Sequence, residues 1–405
     1  MKIKFIKGGV CAAKGFKASG VPAAIKYENR PDVALFVSDE PCDAAAAFTT
    51  NKVAAAPVVY DRQIISHGRV QAIVANSGCA NACTGEAGLK DAELTALVAA
   101  GELGIDKNHV LVASTGVIGR RLPMDRLLAG VKAAVKELGS TPEHSLAAEK
   151  AIMTTDTRPK EAAVECVIGG KRVRVGGVSK GSGMIEPNMA TMLGFITTDA
   201  NITSRMLKKA LLLAISKSFN RLVVDGDEST NDSVFLLASG KAGNERIKLS
   251  SDDFRVFTDA LTEVCVSLAR QMATDGEGAT KFVTVKVKGA LSVKDAARAA
   301  RAVAKSPLAK TSWFGRDPNW GRVLAAVGYS GAEVCDTKAE VFYDEVWAYK
   351  AGRVADERQL ERLAKVLAKP SFDVVVDLHL GRAEDTVYTC DFSLDYVHIN
   401  ADYTT

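Results

Sequence analysis

Thr191 lies near the middle of the 405-residue chain, in a setting that could make its hydroxyl a nucleophile. It follows the small residue Ala190 within the stretch GSGMIEPNMATMLGF, which spans residues 181–195 and leads into an apolar run. A threonine inside a chain reacts poorly because no strong base lies beside its hydroxyl, whereas cleavage of the preceding bond would free an α-amine to act as that base. Such an amine has an unperturbed pKa of about 7.7–8.0, which suits work near neutral pH. From these residues alone, a loop that enters a buried strand is the simpler interpretation.

A second candidate feature is the dipeptide Thr115-Gly116, which follows an apolar run at 109–114 that predicts a strand. A strand end of this kind can expose a hydroxyl or a backbone N–H group. Such donors stabilise the negative charge that develops on a carbonyl oxygen during acyl transfer. Thr-Gly is also common in ordinary turns, so the pair alone indicates a position and not a role.

Two charged residues lie among glycines, Lys180 in GVSKGSG (177–183) and Glu277 in DGEG (275–278). Glu277 can point into a cavity, and Lys180 is placed so that its ammonium could hold a carboxylate. The first segment lacks the spacing of the phosphate-binding patterns GxxxxGK[ST] and GxGxxG, so nucleotide binding is disfavoured. Both residues could equally be solvated loop charges.

Several blocks of the sequence resemble those of the ornithine acetyltransferase family, in the family's order. Residues 184–195 are similar to its processing site, and the similarity runs from about residue 8 to residue 405. One departure is Glu186, where many members of the family have histidine. The other blocks are MTTDT (153–157), VDGDESTND (224–232), DGEGATK (275–281), FGRDPNWGR (314–322) and INADYTT (399–405).

The resemblance implies an enzyme of arginine biosynthesis that moves an acetyl group from N-acetylornithine to glutamate. It implies self-cleavage between Ala190 and Thr191, followed by ping-pong transfer through an acetyl ester of Thr191. Two α chains (1–190) and two β chains (191–405) would assemble into one molecule, with no cofactor and no metal. Acetyl-CoA is a possible further substrate.

The resemblance also implies roles for particular residues. Thr115 and Gly116 would form the oxyanion hole. Thr154, Thr155 and Thr157 belong to one substrate-binding block, in which Thr154 is the first choice. The full set of predicted substrate-binding residues is Thr154, Lys180, Thr191, Glu277, Asn400 and Thr405.

Composition agrees with an ordinary globular protein and gives little reason to expect nucleic-acid or membrane-surface binding. The net charge is +4, and basic residues are interspersed with acidic ones. Lysines interrupt the apolar start of the chain, and no run approaches the 18 or so apolar residues of a membrane span. Eight scattered cysteines do not resemble a disulfide scaffold. A cytoplasmic protein is therefore expected.

The resemblance predicts an α/β fold with layered α-β-β-α architecture at 1–280, and the pattern beyond predicts a smaller α+β domain at 281–405. Apolar runs predict strands at 33–37, 71–75, 162–167, 171–175 and 193–196, and residues 218–232 are expected to be a strand followed by a polar loop. Helical spacing of apolar residues predicts helices at 89–103, 204–215 and 252–272. The block at 314–322 is expected to brace the active site.

Three alternatives stay open at this stage. An enzyme that also uses acetyl-CoA would be an N-acetylglutamate synthase as well. An aminopeptidase or amidase would pass the same acyl-threonine intermediate to water. An uncut binding protein would use the pocket only to hold an amino acid.

Overall fold

The computed structural model describes residues 3–186, 192–249 and 251–402. Ala190, Thr191 and Thr405, which are central to the predicted chemistry, lie outside the described residues. The strands are β1 (Lys4–Ile6), β2 (Phe16–Val21), β3 (Val33–Phe48), β4 (Arg69–Asn76), β5 (Val110–Ser114), β6 (Glu161–Ile168), β7 (Lys171–Lys180), β8 (Leu193–Thr198), β9 (Ser233–Ala238), β10 (Phe282–Ala290), β11 (Glu340–Tyr343), β12 (Val346–Lys350), β13 (Arg353–Val354), β14 (Ser371–Asp377) and β15 (Ala383–Cys390). The α-helices are α1 (Ala56–Ile64), α2 (Gly85–Leu103), α3 (Met124–Lys136), α4 (Pro142–Ile152), α5 (Ser204–Lys217), α6 (Asp252–Thr274), α7 (Val293–Lys305), α8 (Pro307–Phe314), α9 (Trp320–Tyr329), α10 (Glu357–Leu367) and α11 (Leu394–Asp402).

Strand β3 is the element on which the first sheet is built. The described strands of this sheet follow the order β1-β6-β7-β8-β9-β3-β4-β5, with β2 also paired to β3. The register of β3 against β4 shifts between Val37 and Cys42, and such an irregularity bends a strand. The first half of β3 pairs with β2 and β4, and its second half pairs with β9. One bent strand therefore belongs to both halves of the sheet.

The two halves of this sheet pack face to face. Phe36 of β3 stacks on Phe195 of β8 with ring centroids 4.3 Å apart, and Phe195 also stacks on Phe235 of β9. Helix α4 adds Ala148 and Ala151 to the same inner core. Aromatic pairs of this kind fill the space between two sheets with large apolar surfaces.

The outer faces of the two halves are covered by helices. Because side chains alternate along a strand, Leu35 points away from Phe36 and packs under α2 and α3, while Ile196 packs under α5 and α6. The order of layers is thus helices, sheet, sheet, helices. The predicted α-β-β-α fold class is confirmed. Burial on both faces explains why these strands appear in the sequence as nearly continuous apolar runs.

Residues from Phe282 onward form a second sheet with its own core. Its described strands follow the order β13-β12-β11-β14-β10-β15, and α7 and α9 contribute to the apolar cluster beside it. Trp320 of the 314–322 block stacks on Tyr349 at 4.5 Å and does not line the cavity described below. The boundary at 280/281, and a bracing role for this block, stay predictions. No helix in the described ranges is long and apolar enough to cross a membrane.

Two expectations about individual strands were wrong. The predicted strand at 33–37 continues to Phe48, because the register shift before Cys42 allows the chain to pass Pro41 without leaving the sheet. The predicted strand after Ser218 is a 3₁₀ turn at Phe219–Arg221, followed by buried extended residues joined to β15 by one isolated bridge. Burial, and not strand pairing, accounts for that apolar run.

Candidate active site

The described residues predicted to act in catalysis or substrate binding meet around one cavity. They come from the ends of different elements, since β5 leads to the first two, β7 ends at the lysine, and α6 leads to the glutamate. Met192 and Leu193, at the start of β8, line the same cavity. The residues brought together are Thr115, Gly116, Thr154, Lys180, Glu277 and Asn400.

The backbone at the predicted oxyanion pair is fixed by close approach to a neighbouring loop. Thr115 N–H donates to the carbonyl of Asn76 at 3.0 Å. Gly116 has φ +129°, and a Cβ built there would lie 2.4 Å from the carbonyl carbon of Gly78. Only glycine fits such a position without displacing the backbone. The structure thus explains why a glycine follows Thr115.

Asn231 is a positioning residue that the sequence analysis did not single out. Its amide nitrogen donates to the carbonyls of Ala80 at 2.6 Å and Ser114 at 2.8 Å, and its side chain is buried. It therefore holds the residue before Thr115 against the loop that follows β4. The family block at 224–232 contained this residue, but a buried amide cannot be told from a loop amide by type alone.

Lys180 ends β7 with its ammonium beside the oxyanion pair. Its Nζ donates to Thr115 Oγ1 at 3.2 Å. Burial lowers the pKa of Lys180 from its usual value, and the carboxylates of Asp156 and Glu277 partly oppose that shift. A cation next to the site of a developing oxyanion can stabilise it, and a cation facing a cavity can hold a substrate carboxylate.

A buried ion triad, which consists of Asp156, Lys160 and Asp275, lies next to the cavity. Lys160 Nζ is 2.6 Å from Asp156 Oδ1 and 2.6 Å from Asp275 Oδ2, and the three side chains are at most 3% exposed. Burial by itself raises the pKa of Asp156, but the ammonium groups of Lys160 and Lys180 outweigh it and bring that pKa down to about 2. The triad is therefore charged at neutral pH.

The ion triad joins three walls of the cavity through backbone hydrogen bonds. Asp156 accepts the N–H groups of Thr154 at 3.0 Å and Gly181 at 2.8 Å. Asp275 accepts the N–H of Thr157 at 3.0 Å. The bound segments are those that carry the predicted substrate residues.

The geometry distinguishes the three threonines of the 153–157 block. Thr155 Oγ1 is hydrogen-bonded to Ser182 Oγ at 2.7 Å, and the hydroxyl of Thr157 donates to Asp275. Thr154 lines the cavity, and its hydroxyl has no hydrogen bond among the described residues. Thr154 is thus the threonine most available to a substrate.

Glu277 is held in place by the strand end and by the last helix. Its N–H donates to the carbonyl of Ser182 at 2.8 Å, and Asn400 Nδ2 donates to Glu277 Oε2 at 2.8 Å. A Cβ on Gly183 would lie 2.3 Å from a Glu277 oxygen, so the carboxylate packs directly on this glycine. Helix α11 thereby brings the C-terminal part of the chain to the cavity.

Comparison with known proteins identifies the family. A family model described as the ArgJ family matches residues 17–405. The chain belongs to the ArgJ family. The resemblance proposed from the sequence is confirmed.

Relatives from bacteria and archaea match the chain along its whole length. The arginine biosynthesis bifunctional protein ArgJ of Symbiobacterium thermophilum is 50% identical over 406 residues, which cover 100% of both chains. The glutamate N-acetyltransferase of Methanocaldococcus jannaschii is 46% identical over 413 residues, again covering 100% of both. A crystal structure of ornithine acetyltransferase from Mycobacterium tuberculosis, complexed with ornithine, is 42% identical with a TM-score of 0.44 and covers 47% of this chain and 100% of that chain.

In this ArgJ-family chain, the segment before the predicted cleavage site is fixed to two neighbours. The Asp225 carboxylate accepts the N–H groups of Met184 at 2.5 Å and Ile185 at 2.8 Å. Glu186, the departure from the family pattern, forms ion pairs with Lys305 at 2.5 Å and Arg301 at 3.5 Å, both on α7. The chain is therefore held firmly up to the last residue described before the gap at 187–191.

Proposed function

We propose that this chain is a glutamate N-acetyltransferase of arginine biosynthesis, which moves acetyl from N-acetylornithine to glutamate. The observation that carries the proposal is the convergence of Thr115, Gly116, Lys180 and Glu277 on the cavity where β8 begins. The names of the full-length relatives support the same activity. Small amino-acid derivatives suit a cavity in which a cation, a carboxylate and several hydroxyl or amide groups face one another.

The proposed nucleophile is Thr191, freed by cleavage of the Ala190–Thr191 bond. In that step the hydroxyl oxygen of Thr191 attacks the carbonyl carbon of Ala190, and the acyl group moves from nitrogen to oxygen. Water then hydrolyses the ester and leaves a free α-amine on Thr191. Support for this step comes from Met192 and Leu193, because they bring the chain into the cavity next to the proposed nucleophile.

The acetyl group would then be transferred in two half-reactions. The hydroxyl of Thr191 attacks the acetyl carbonyl of N-acetylornithine, and its proton passes through the α-amine to the departing nitrogen of ornithine. Glutamate next attacks the acetyl ester and leaves as N-acetylglutamate. In both steps Thr115 and Gly116 would stabilise the oxyanion, with the Lys180 ammonium 3.2 Å from the Thr115 hydroxyl.

The amino-acid ends of both substrates would be held by the charged residues of the cavity. Lys180 suits a carboxylate and Glu277 suits an α-ammonium group, since each lies at the cavity with opposite charge to its proposed partner. Thr154 and Asn400 offer neutral hydrogen bonds beside them. Thr405 completes the proposed set by its place at the end of the chain that follows α11.

The proposed mature molecule consists of two α and two β chains in the cytoplasm, without a cofactor. A second activity, N-acetylglutamate synthesis from acetyl-CoA, is favoured by one observation, the word bifunctional in the names of the relatives most similar along the whole chain. Both activities would share the acetyl ester of Thr191. They differ only in which acyl donor forms that ester.

The test combines intact mass with turnover. We expect wild-type protein to separate into two chains, the second beginning at Thr191, and to form N-acetylglutamate from N-acetylornithine and glutamate. The Thr191→Ala protein should stay a single inactive chain of 42.9 kDa. Turnover by that variant would refute the nucleophile. Release of acetate without glutamate would favour a hydrolase, and formation of N-acetylglutamate from acetyl-CoA would establish the second activity.

A further inference from the structure

Asp232 is a buried carboxylate at the cavity that has no role in the mechanism above. It lies directly before β9, is 3% exposed, and lines the same cavity as Lys180. Its Oδ2 atom has no hydrogen-bond partner within the ranges that the structure describes. A buried charged group without full hydrogen bonding is costly, so such an atom points to a partner that arises in function.

The backbone around Asp232 is fixed against the start of β8. Its carbonyl accepts the N–H of Thr49 at 2.9 Å, and the N–H of Ser233 donates to the carbonyl of Met192 at 2.9 Å. Met192 is the residue bonded to Thr191. Standard bond lengths place the α-nitrogen of any residue within about 3–4 Å of the next residue's nitrogen. A carboxylate beside the N–H of Met192 is thus close to the α-nitrogen of Thr191 through covalent geometry alone.

The charges that face Asp232 are known for the described part of the chain. Burial raises the pKa of Asp232 well above its usual value, while the Ser229 hydroxyl, the Lys180 ammonium and the Met192 N–H oppose that shift and the Glu228 carboxylate adds to it. A cation appearing beside this carboxylate would therefore be stabilised more strongly than in water.

We propose that Asp232 is the electrostatic partner of the Thr191 α-ammonium that forms during acyl transfer. This inference rests on the proposed function. When the Thr191 oxygen bonds to the carbonyl carbon, its proton moves to the α-amine and the carbonyl electron pair moves to the oxygen. The resulting ammonium is held by Asp232 until it returns the proton to the departing nitrogen as the C–N bond breaks.

Asp232 undergoes no covalent change and has the same protonation state before and after the cycle. Its contribution grows as the ammonium forms, which means that it stabilises the transition state more than the ground state. Such a difference raises the rate of the chemical step. It also raises the pKa of the α-amine, because a neighbouring anion favours the protonated form.

The test is the pH dependence of kcat/KM for wild type and Asp232→Asn. The α-amine must be neutral to act as a base, so activity rises with pH through its pKa. Loss of the carboxylate lowers that pKa, and we expect the rising limb to move down by about one pH unit while the maximal rate falls at least tenfold. Glu228→Gln, an exposed carboxylate of the same loop, should leave the limb in place because solvent screens its charge.

An unshifted limb in Asp232→Asn would overturn the inference even if the rate fell. If this variant stays uncut, Asp232→Glu decides: restored cleavage supports a charge role, and continued failure overturns it. The proposed function fails in a different way, through an uncut wild type or an active Thr191→Ala protein. The two failures are therefore distinguishable.

Discussion

Replacement of Lys160 by methionine would remove the cation of the buried ion triad and keep most of its volume. In the native protein this ammonium lies 2.6 Å from carboxylate oxygens of both Asp156 and Asp275. The variant leaves two buried carboxylates that face each other without a positive charge between them. We expect the free energy of unfolding to fall substantially at neutral pH.

The size of the loss follows from the groups that remain. Removal of one partner of a buried ion pair costs about 3–5 kcal/mol. Asp156 keeps the N–H groups of Thr154 and Gly181, and Asp275 keeps that of Thr157. These hydrogen bonds favour the charged carboxylates, so we expect the lower end, about 3 kcal/mol. Domains are stable by about 5–15 kcal/mol, so the variant should still fold.

The loss should depend on pH in a particular direction. The pKa of Asp156 is about 2 in the folded protein, below the usual unfolded value of about 3.9. Its stabilising effect is therefore complete above about pH 4 and is lost as the pH falls toward 2. Without Lys160, burial raises the pKa of this carboxyl, and protonation relieves the penalty as the pH falls. The difference between the two proteins should narrow between pH 7 and pH 4.5.

Urea unfolding in the uncut Thr191→Ala background would measure this difference on a single chain. Lys136→Met, at an exposed position on α3, is the control and should change the free energy of unfolding by less than about 0.5 kcal/mol. Lys160→Arg should recover part of the loss because it restores a cation. A loss below about 1 kcal/mol at pH 7, or a loss that does not narrow in acid, would refute the role of the triad.

Two further substitutions test the walls of the cavity. A Cβ on Gly183 would lie 2.3 Å from a Glu277 oxygen, so Gly183→Ala should displace that carboxylate and raise KM for N-acetylornithine about tenfold, with a smaller effect on kcat; an unchanged KM in steady-state kinetics would contradict substrate binding by Glu277. Glu186→Gln should slow self-cleavage about fivefold in a gel time course, because the ion pairs with Lys305 and Arg301 hold the segment before the cut. Cleavage at the wild-type rate would show that this anchoring is not needed.

Much of the architecture follows from apolar patterning. Helix α5 begins at Ser204 and α6 at Asp252, as the spacing of apolar residues predicts, and β8 begins at Leu193. Prediction failed where the sheet itself decides the conformation. The chain continues as β3 past Pro41 because a register shift accommodates it, and a single-sequence pattern does not show a partner strand.

The site was predictable in part, for a related reason. Thr115, Lys180 and Glu277 were found through resemblance and local residue type, and they do lie at one cavity. Asn231 and Asp232 were not, because their importance depends on burial and on which backbone atoms they face. Those properties arise from the meeting of distant segments. A polar loop in a sequence gives no indication of which of its side chains will be buried.

The position of β8 and β9 in the first sheet has a consequence for the proposed cut chains. These strands lie between β7 and β3, with β8 hydrogen-bonded to β7 and β9 to β3. After cleavage, both outer neighbours would belong to the first chain and both inner strands to the second. The two products could then part only by opening the sheet on two sides at once. Mixing differently labelled preparations should therefore give no exchange of chains, and dilution should not separate them, because dissociation and unfolding would be the same event.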